Sequence, residues 1–454
     1  MRRDVDVMGL EQHAALGGAK KGMGEMELRD YQKEGLRKVQ DALDDGKNAI
    51  YVLPTGGGKS HIIAALVKHY SNAGKRILIC VHRVELLKQI SHTLGQFGVE
   101  HGVIYRTEYC ADAVAVASIQ TLVHKRTAYK YDLIVFDEAH HSAANTWIKI
   151  KDLFPDARIC GFTGTPIRND RRGLAGMFDV LIEGPKAKDL IASGHLSQLR
   201  LWSWPVVDLT GVRTFAGDFN RKQVAEMLDN RTICGDVIDH YNRHCAGKKA
   251  IAFCCTVEHA KNVAKQFTQN KIPAKPIYGL LTEGQRNILV DDFVHGRIKV
   301  LTSCDLISEG FDVPSASVGI MLRPTKSLIV HMQQCGRVMR INGGNNYGYI
   351  LDHVGNCLRH GDPQATRIWT LDRGVDVETE NLMMRCKKCG ALDDNGLLEC
   401  PECETEYEYK IEHVDAYLRL YGDKNLPTLE RMAIALNTRK AWAAYYRVAV
   451  KVGA

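Results

Sequence analysis

Four groups of residues in this 454-residue chain have types and spacings suited to chemistry. Pro54-Thr55-Gly56-Gly57-Gly58-Lys59-Ser60 is built to cradle phosphate. Its glycines let backbone N–H groups approach phosphate oxygens with no Cβ in the way, Lys59 can reach the β- and γ-phosphates, and the Ser60 hydroxyl can ligate Mg²⁺. Asp137-Glu138-Ala139-His140 sets a carboxylate suited to holding Mg²⁺ through water beside one suited to polarising an attacking water. Gln333-Gln334-Cys335-Gly336-Arg337-Val338-Met339-Arg340 places two guanidinium groups three residues apart, on one helix face, as transition-state charge on a γ-phosphate requires. Cys386-Lys387-Lys388-Cys389 and Cys400-Pro401-Glu402-Cys403 offer four thiolates on two tight turns, a donor set for tetrahedral Zn²⁺.

The phosphate loop departs from the strict pattern, which has glycine five positions before Gly58 where this chain has Leu53. Its flanking elements therefore carry the assignment. The apolar run Ala49–Leu53 reads as a buried strand. Ile62, Ile63, Leu66 and Val67 repeat at helical spacing, so the loop opens a helix whose N-terminus favours an anion. Further near-continuous apolar runs cover 76–82, 113–118, 132–136 and 158–162, with amphipathic segments between them. A helix capped by Asp30 is expected to run through Gln40. Such alternation predicts a parallel sheet covered on both faces, and each polar motif follows a strand, at the carboxyl edge where these sheets bind ligands. The pattern loosens through a basic loop (Arg168, Arg171, Arg172) and a polar connection with Trp202 and Trp204. It resumes at 249–254, 299–303, 317–322 and 347–351, predicting a second sheet of similar size.

The expected organisation is a flexible tail over 1–25, α/β lobes over 26–200 and 201–373, a zinc ribbon over 383–410 and C-terminal helices over 411–454. The last helix mixes Trp442, Tyr445 and Tyr446 with Arg447 and Lys451, which suits either a single-strand platform or a face packed on the lobes. Apolar residues make up 45% and charged residues 25%, ordinary for a globular protein, and the net charge of +7 permits a polyanionic partner without requiring one. No window has the apolar length of a membrane span, and the N-terminus lacks the apolar core of a signal peptide. Fourteen cysteines without a secretion signal point to a reducing, cytoplasmic setting. Those outside the paired motifs, such as Cys80, Cys254 and Cys255, read as buried thiols.

Taken together, the motifs resemble those of superfamily-two helicases. Leu28-Arg29-Asp30-Tyr31-Gln32 resembles the adenine-reading segment, Pro54–Ser60 motif I, and Asp137–His140 motif II in its DEAH form. Val81–Gln89 and Ser118–Thr121 resemble motifs Ia and Ib, and Thr163-Gly164-Thr165-Pro166 motif III. Asp305 through Gly310-Phe311-Asp312 resembles motif V, and Gln333–Arg340 motif VI. Thr256–Lys261, Leu322–Lys326, Gln333–Arg337 and Ile350–Asn356 are similar to segments of the bacterial RadD helicase-like proteins. The chain differs from that family in its N-terminal tail, in DEAH where the family has a cysteine at the third position, and in a much shorter C-terminal region. These differences fit a phage or mobile-element relative.

The resemblance implies two RecA-like P-loop lobes, with ATP and Mg²⁺ between them and Zn²⁺ in the ribbon. In it Gln32 reads adenine, Gly310 and Asp312 approach the ribose, and Arg337 and Arg340 meet the γ-phosphate. His140, Thr163 and Thr165 couple hydrolysis to lobe movement. Arg83, Gln120, Thr121 and Thr256 contact the nucleic-acid strand, although each residue type equally suits a helix cap or a polar surface. The implied activity is an ATP-dependent DNA helicase or translocase in repair, recombination or replication. Its DNA would be single-stranded or forked, and its partner a single-strand-binding or recombination protein. The motor motifs are shared with RNA-dependent ATPases and with nucleotide-switched clamps that unwind little. The ribbon, with Lys387 and Lys388 between its ligands, either touches nucleic acid or clips a segment too small to fold alone.

Overall fold

The computed structural model describes residues 27–106, 108–109, 112–124, 130–141, 145–168, 173–204, 208–215, 217–228, 231–304, 316–341, 347–372, 374–376, 383–393 and 399–407. The tail expected over 1–25 and the helices expected over 411–454 lie outside these residues.

In the first lobe, α1 (Asp30–Asp44) leads into β1 (Ala49–Val52) and α2 (Lys59–Asn72), then β2 (Ile77–Val81) and α3 (Val84–Gln96). Strands β3 (Gly102–Tyr105), β4 (Glu108–Tyr109), β5 (Val114–Ser118), β6 (Leu133–Asp137), β7 (Arg158–Thr163) and β8 (Val180–Glu183) complete a sheet ordered β4-β3-β5-β2-β6-β7-β1-β8. Every pairing is parallel except β3 with β4. All residues of β1, β2, β5 and β6 are buried, which is why these segments read as continuous rather than alternating apolar runs. Asp30 is the first residue of α1 rather than its cap, which is Arg29; an acid in the first turn still suits the helix dipole.

The second lobe repeats this architecture with β9 (Gln198–Ser203), β12 (Ala250–Phe253), α4 (Val257–Gln269), β13 (Ala274–Ile277), α5 (Glu283–Val294), β14 (Val300–Ser303), β15 (Val318–Met321), α6 (Leu328–Val338) and β16 (Tyr347–Asp352). Two short antiparallel pairs lie outside this sheet: β10 (Thr214–Phe215) with β11 (Asp218–Phe219), bonded to the second lobe, and β17 (Ile368–Thr370) with β18 (Gly374–Asp376), beside Leu371, which meets the first lobe. The sheet order is β13-β14-β12-β15-β16-β9-β20-β19, where β19 is Met384–Arg385 and β20 is Ala391–Asp393. Two features differ from expectation. The polar connection holding Trp202 is strand β9, parallel to β16, so the second sheet starts ahead of the boundary drawn at 200/201. The first cysteine turn does not stand apart as its own module, because β20 pairs antiparallel with β9 and extends that sheet.

The lobes are joined by more than their linker. One apolar cluster continues from Tyr51 and Ile62 through Leu196 and Leu199 to Ile251 and Phe253. Beyond β16 the chain returns to the first lobe, where Leu174 N donates to Leu371 O at 2.6 Å. Lys186 Nζ, on the outward linker, donates to Arg367 O on this returning segment at 3.4 Å, so the two crossings run side by side. Elsewhere α3 and α5 exchange two ion pairs, Lys88–Glu283 at 2.6 Å and Arg286–Glu85 at 3.0 Å. The second pair is largely shielded, at 17% and 19% exposure, whereas Glu283 is mostly solvated. Reversing only the first lobe's charges (Glu85→Lys with Lys88→Glu) should lower ATP turnover about two- to fivefold, the scale of roughly 0.3–1 kcal/mol for partly exposed pairs. Adding Glu283→Lys and Arg286→Glu should restore it, as steady-state assays of the three proteins would show.

Candidate active site

The phosphate loop leaves β1 and is shaped by two left-handed glycines, Gly56 (φ +90°) and Gly58 (φ +86°), the latter capping α2. Leu53, standing where the strict pattern has glycine, is fully buried, and a Cβ built on Gly57 would come within 2.8 Å of its Cγ. Its side chain thus packs beneath the loop instead of obstructing the phosphate face. Lys59 is buried and its Nζ donates to the carbonyl oxygen of Leu53 at 3.4 Å. Ser60 follows in the first turn of α2.

Gln32 is buried against this loop. Its Oε1 accepts from Arg29 N at 2.9 Å, and its Nε2 donates to the carbonyls of Gly57 and Gly58 at 3.3 and 3.4 Å. Tyr31, which sequence reasoning did not single out, donates its hydroxyl to Gly57 O at 2.9 Å. The segment expected to read adenine is therefore bonded directly to the phosphate loop.

Asp137 ends β6 and Glu138 follows it with φ +51°, a conformation unusual for a residue with a side chain and one found at strained sites. Burial first, and the neighbouring Glu138 charge second, push the Asp137 carboxyl up to about 7, with the Lys59 ammonium opposing them. A raised carboxyl pKa means that the folded chain holds a proton the unfolded chain has lost. Metal-free stability should therefore fall as pH rises from the ordinary carboxylate range towards neutrality. Mg²⁺ binding to the ionised form should reverse that loss. In melting curves between about pH 5 and about pH 8, the Mg²⁺-dependent gain should grow with pH in the native chain and not in Asp137→Asn.

His140, Thr163 and Thr165 come together behind these acids. His140 Nδ1 lies 2.9 Å from Thr163 Oγ1 and 3.3 Å from Glu138 Oε2. Thr163 Oγ1 donates its single hydrogen to Thr165 O at 3.2 Å and accepts from Thr165 N at 3.1 Å. Nδ1 must then carry the proton shared towards Thr163 and Glu138. A buried chain of hydrogen bonds thus runs from the acid pair to the loop after β7.

The second lobe meets the phosphate loop through α6. A Cβ built on Gly336 would lie 2.4 Å from Thr55 Cβ, and one built on Gly56 would lie 3.5 Å from Arg340 Cγ. Arg337 is buried in the same helix, but α6 ends at Val338 with Met339 as its cap, so Arg340 lies past the helix and the two arginines do not share one helix face as expected. The end of α6 is fastened to the linker by Ser197 N donating to Met339 O at 2.7 Å. The loop residues Pro54, Thr55, Gly56, Gly57, Gly58, Lys59 and Ser60 thus lie where the lobes meet, with Gly336 and Arg340 against Thr55 and Gly56, and Asp137, followed by Glu138, near enough to Lys59 to feel its charge. Asp305, Gly310 and Asp312 lie outside the described residues.

The four residues expected to touch a polymer sit at carboxyl edges of the sheets. Arg83 caps α3 after β2. Gln120, after the adjacent β5, donates to His82 O at 2.8 Å, while Thr121 Oγ1 accepts from Arg106 N at 3.0 Å. Thr256 follows β12 and caps α4, its Oγ1 accepting from His259 N at 3.1 Å. Three lie together on the first lobe, and Thr256 is on the second.

Cys386, Cys389, Cys400 and Cys403 bring their sulfurs within 4.8 Å of one another, the only such ligand group among the described residues. Cys386 and Cys403 sulfurs are 3.6 Å apart and those of Cys389 and Cys400 are 3.5 Å apart. A disulfide needs about 2.05 Å. Four sulfurs held about 2.3 Å from a tetrahedral ion stand about 3.8 Å apart, so the donor set and its spacing fit zinc. The Thr405 hydroxyl, 3.2 Å away, pulls the Cys403 thiol down to about 6, whereas burial pushes the Cys389 and Cys400 thiols up, so the metal reading rests on the donor set and its spacing. Ser203 N donates to Gly390 O at 2.8 Å, docking the first turn on β9.

Residues 25–168 match the family model described as "Type III restriction enzyme, res subunit", and residues 233–342 match "Helicase conserved C-terminal domain". The chain is 33% identical over 390 residues to a "51.5 kDa protein" of a Lactococcus phage (isolate 7-9), covering 85% of this chain and 84% of that protein. It is 29% identical over 356 residues to the Saccharomyces cerevisiae "Putative ATP-dependent helicase IRC3", covering 72% of this chain and 51% of the yeast protein. It is 23% identical over 357 residues to the "DNA 3'-5' translocase XPB2" of Sulfurisphaera tokodaii, covering 69% and 79% of the two. The chain thus spans about half the length of the yeast relative and most of the other two.

Proposed function

This chain belongs to the superfamily-two helicases, and from that premise we propose that it hydrolyses ATP between its lobes to move along or remodel DNA. The observation that carries the reading is the direct approach of Gly336 and Arg340, from the second lobe, to Thr55 and Gly56 of the phosphate loop. A nucleotide seated on a loop that the other lobe touches links its hydrolysis to the position of that lobe.

In this reading Lys59 holds the β- and γ-phosphates, and Glu138 orients and polarises the attacking water. Arg337 and Arg340 take up charge on the transferring phosphoryl group. Ser60 and Asp137 would hold Mg²⁺, which when bound supplies positive charge against the phosphate oxygens. The hydrogen-bonded path from Glu138 through His140 to Thr163 and Thr165 transmits the state of the γ-phosphate to the loop after β7. Arg83, Gln120, Thr121 and Thr256 track the strand through its phosphates, so its sequence is not read. The four cysteines hold zinc, and one zinc per chain is expected by elemental analysis of the purified protein.

DNA is supported as the polymer by the relative named a DNA translocase. The segments similar to RadD support a role in repair or recombination, beside a single-strand-binding or recombination protein. The deciding experiment is ATP hydrolysis at fixed salt with no polymer, then with single-stranded DNA, forked DNA or single-stranded RNA. Stimulation by DNA and not RNA is expected. Stimulation by RNA alone would move the protein to RNA remodelling.

A further inference from the structure

The hairpin of β10 and β11 is a projection of the second lobe that the motor chemistry leaves unused. It is tightly fastened. Asp218 Oδ1 accepts from Lys326 N at 2.7 Å, and its Oδ2 accepts from the Thr325 hydroxyl at 2.9 Å and meets Arg323 Nη2 at 3.5 Å. The Phe219 ring lies 4.8 Å from Lys326 Nζ and 5.3 Å from the Arg359 guanidinium carbon. Asn220 N donates to Arg213 O at 2.8 Å, closing the base of the hairpin.

Directly across the hairpin from Asp218, Phe215 is 78% exposed. An aromatic ring held out in water by so well anchored a hairpin contributes nothing to the core. Arg213, two residues before it, falls on the same side of the extended chain. Arg213 also lines a shallow basin with Asn220, Lys222, Gln223 and Glu226. A bare ring on a hairpin whose base opens on two cations, two amides and a single acid is chemistry for a nucleotide, whose base stacks while its phosphate meets the net positive charge. The hairpin's location agrees. Asp218, Arg221 and Arg323 lie close enough to the Cys255 thiol to influence its ionisation, and Cys255 adjoins Thr256 at the carboxyl edge of the second sheet.

We infer that Phe215 is a stacking platform for one unpaired base of a DNA strand, with Arg213 and Lys222 receiving the adjoining phosphate. The assignment rests on the motor reading above and adds to it a contact that none of the family-like motifs contains.

The test is binding of a fluorescently labelled oligothymidine to the full chain, at fixed salt and without nucleotide, followed by anisotropy. Phe215→Ala should weaken binding roughly fivefold or more, the loss of one stacked base, while Phe215→Trp should retain it. Thermal melting of both variants checks that the fold is kept, as an exposed side chain predicts. In Phe215→Trp, the added indole should be quenched when the strand binds. If the native chain binds and Phe215→Ala binds equally tightly, the platform is overturned and the motor reading stands. If the native chain binds no oligothymidine, the DNA reading itself fails and takes the platform with it.

Discussion

Glu138→Gln should lower ATP turnover about 10²- to 10⁴-fold while leaving nucleotide binding nearly unchanged. Glutamine keeps the size of the side chain and can sit in the same left-handed backbone conformation, with the neutral amide oxygen near His140 Nδ1. What it loses is the charge that polarises the attacking water. The loss should therefore appear in kcat and in kcat/KM alike, and little in the affinity for a fluorescent ATP analogue. Lys59→Ala is the contrast, because its cation acts on the bound phosphates in both ground and transition states. It should weaken analogue binding as well as turnover. Normal turnover by Glu138→Gln would remove the acid pair from the mechanism.

Gly336→Ala should be nearly as damaging, through one added methyl group that alters no charge. The methyl would stand 2.4 Å from Thr55 Cβ and 2.7 Å from its Cγ2, where ordinary carbon contacts are about 3.5–4.0 Å. Thr55 Cβ cannot swing away, since it is fixed to the backbone of the phosphate loop. Either α6 or the loop must shift by about an ångström, and a displacement of that size at a reacting centre costs about 10²-fold in rate. Each lobe should keep its own stability, because the clash lies between them. Thr55→Gly in the same chain removes the opposing Cβ and should recover part of the turnover. Full activity of Gly336→Ala would show that the lobes act without touching here.

Much of the architecture is legible in the sequence because its strands are buried on both faces. Ile77–Val81 and Leu133–Phe136 announce themselves as unbroken apolar runs, and a polar cluster directly after such a run marks the carboxyl edge of a sheet. The acid pair and the phosphate loop carry that signature, whereas Arg337 and Arg340 lie at the far end of α6, beside Ser197 just ahead of β9. Strand β9 lacks it as well. Gln198-Leu199-Arg200-Leu201 alternates polar with apolar before Trp202 breaks the period, and the segment becomes a strand because β16 and β20 pair on either side of it. The α3–α5 ion pairs are equally invisible, since Lys88 and Glu283 stand 195 residues apart and nothing local links them. Thr256 shows the opposite limit. Its residue type suits both a strand contact and a helix cap, and its hydroxyl caps α4 by accepting from His259 N.

The side-by-side chain crossings have a mechanical consequence. A single flexible linker would let the lobes swing, twist and slide independently, and much of the free energy released at the phosphates could dissipate in unproductive directions. Here the outward linker and the returning segment are bonded to each other through Lys186 and Arg367, and the return is anchored to the first lobe through Leu371. Two adjacent attachments restrain torsion and leave bending about the line they share as the soft degree of freedom. The molecule is therefore geared before any nucleotide arrives: a small displacement at the phosphate loop is converted into a larger arc at the surface farthest from that line.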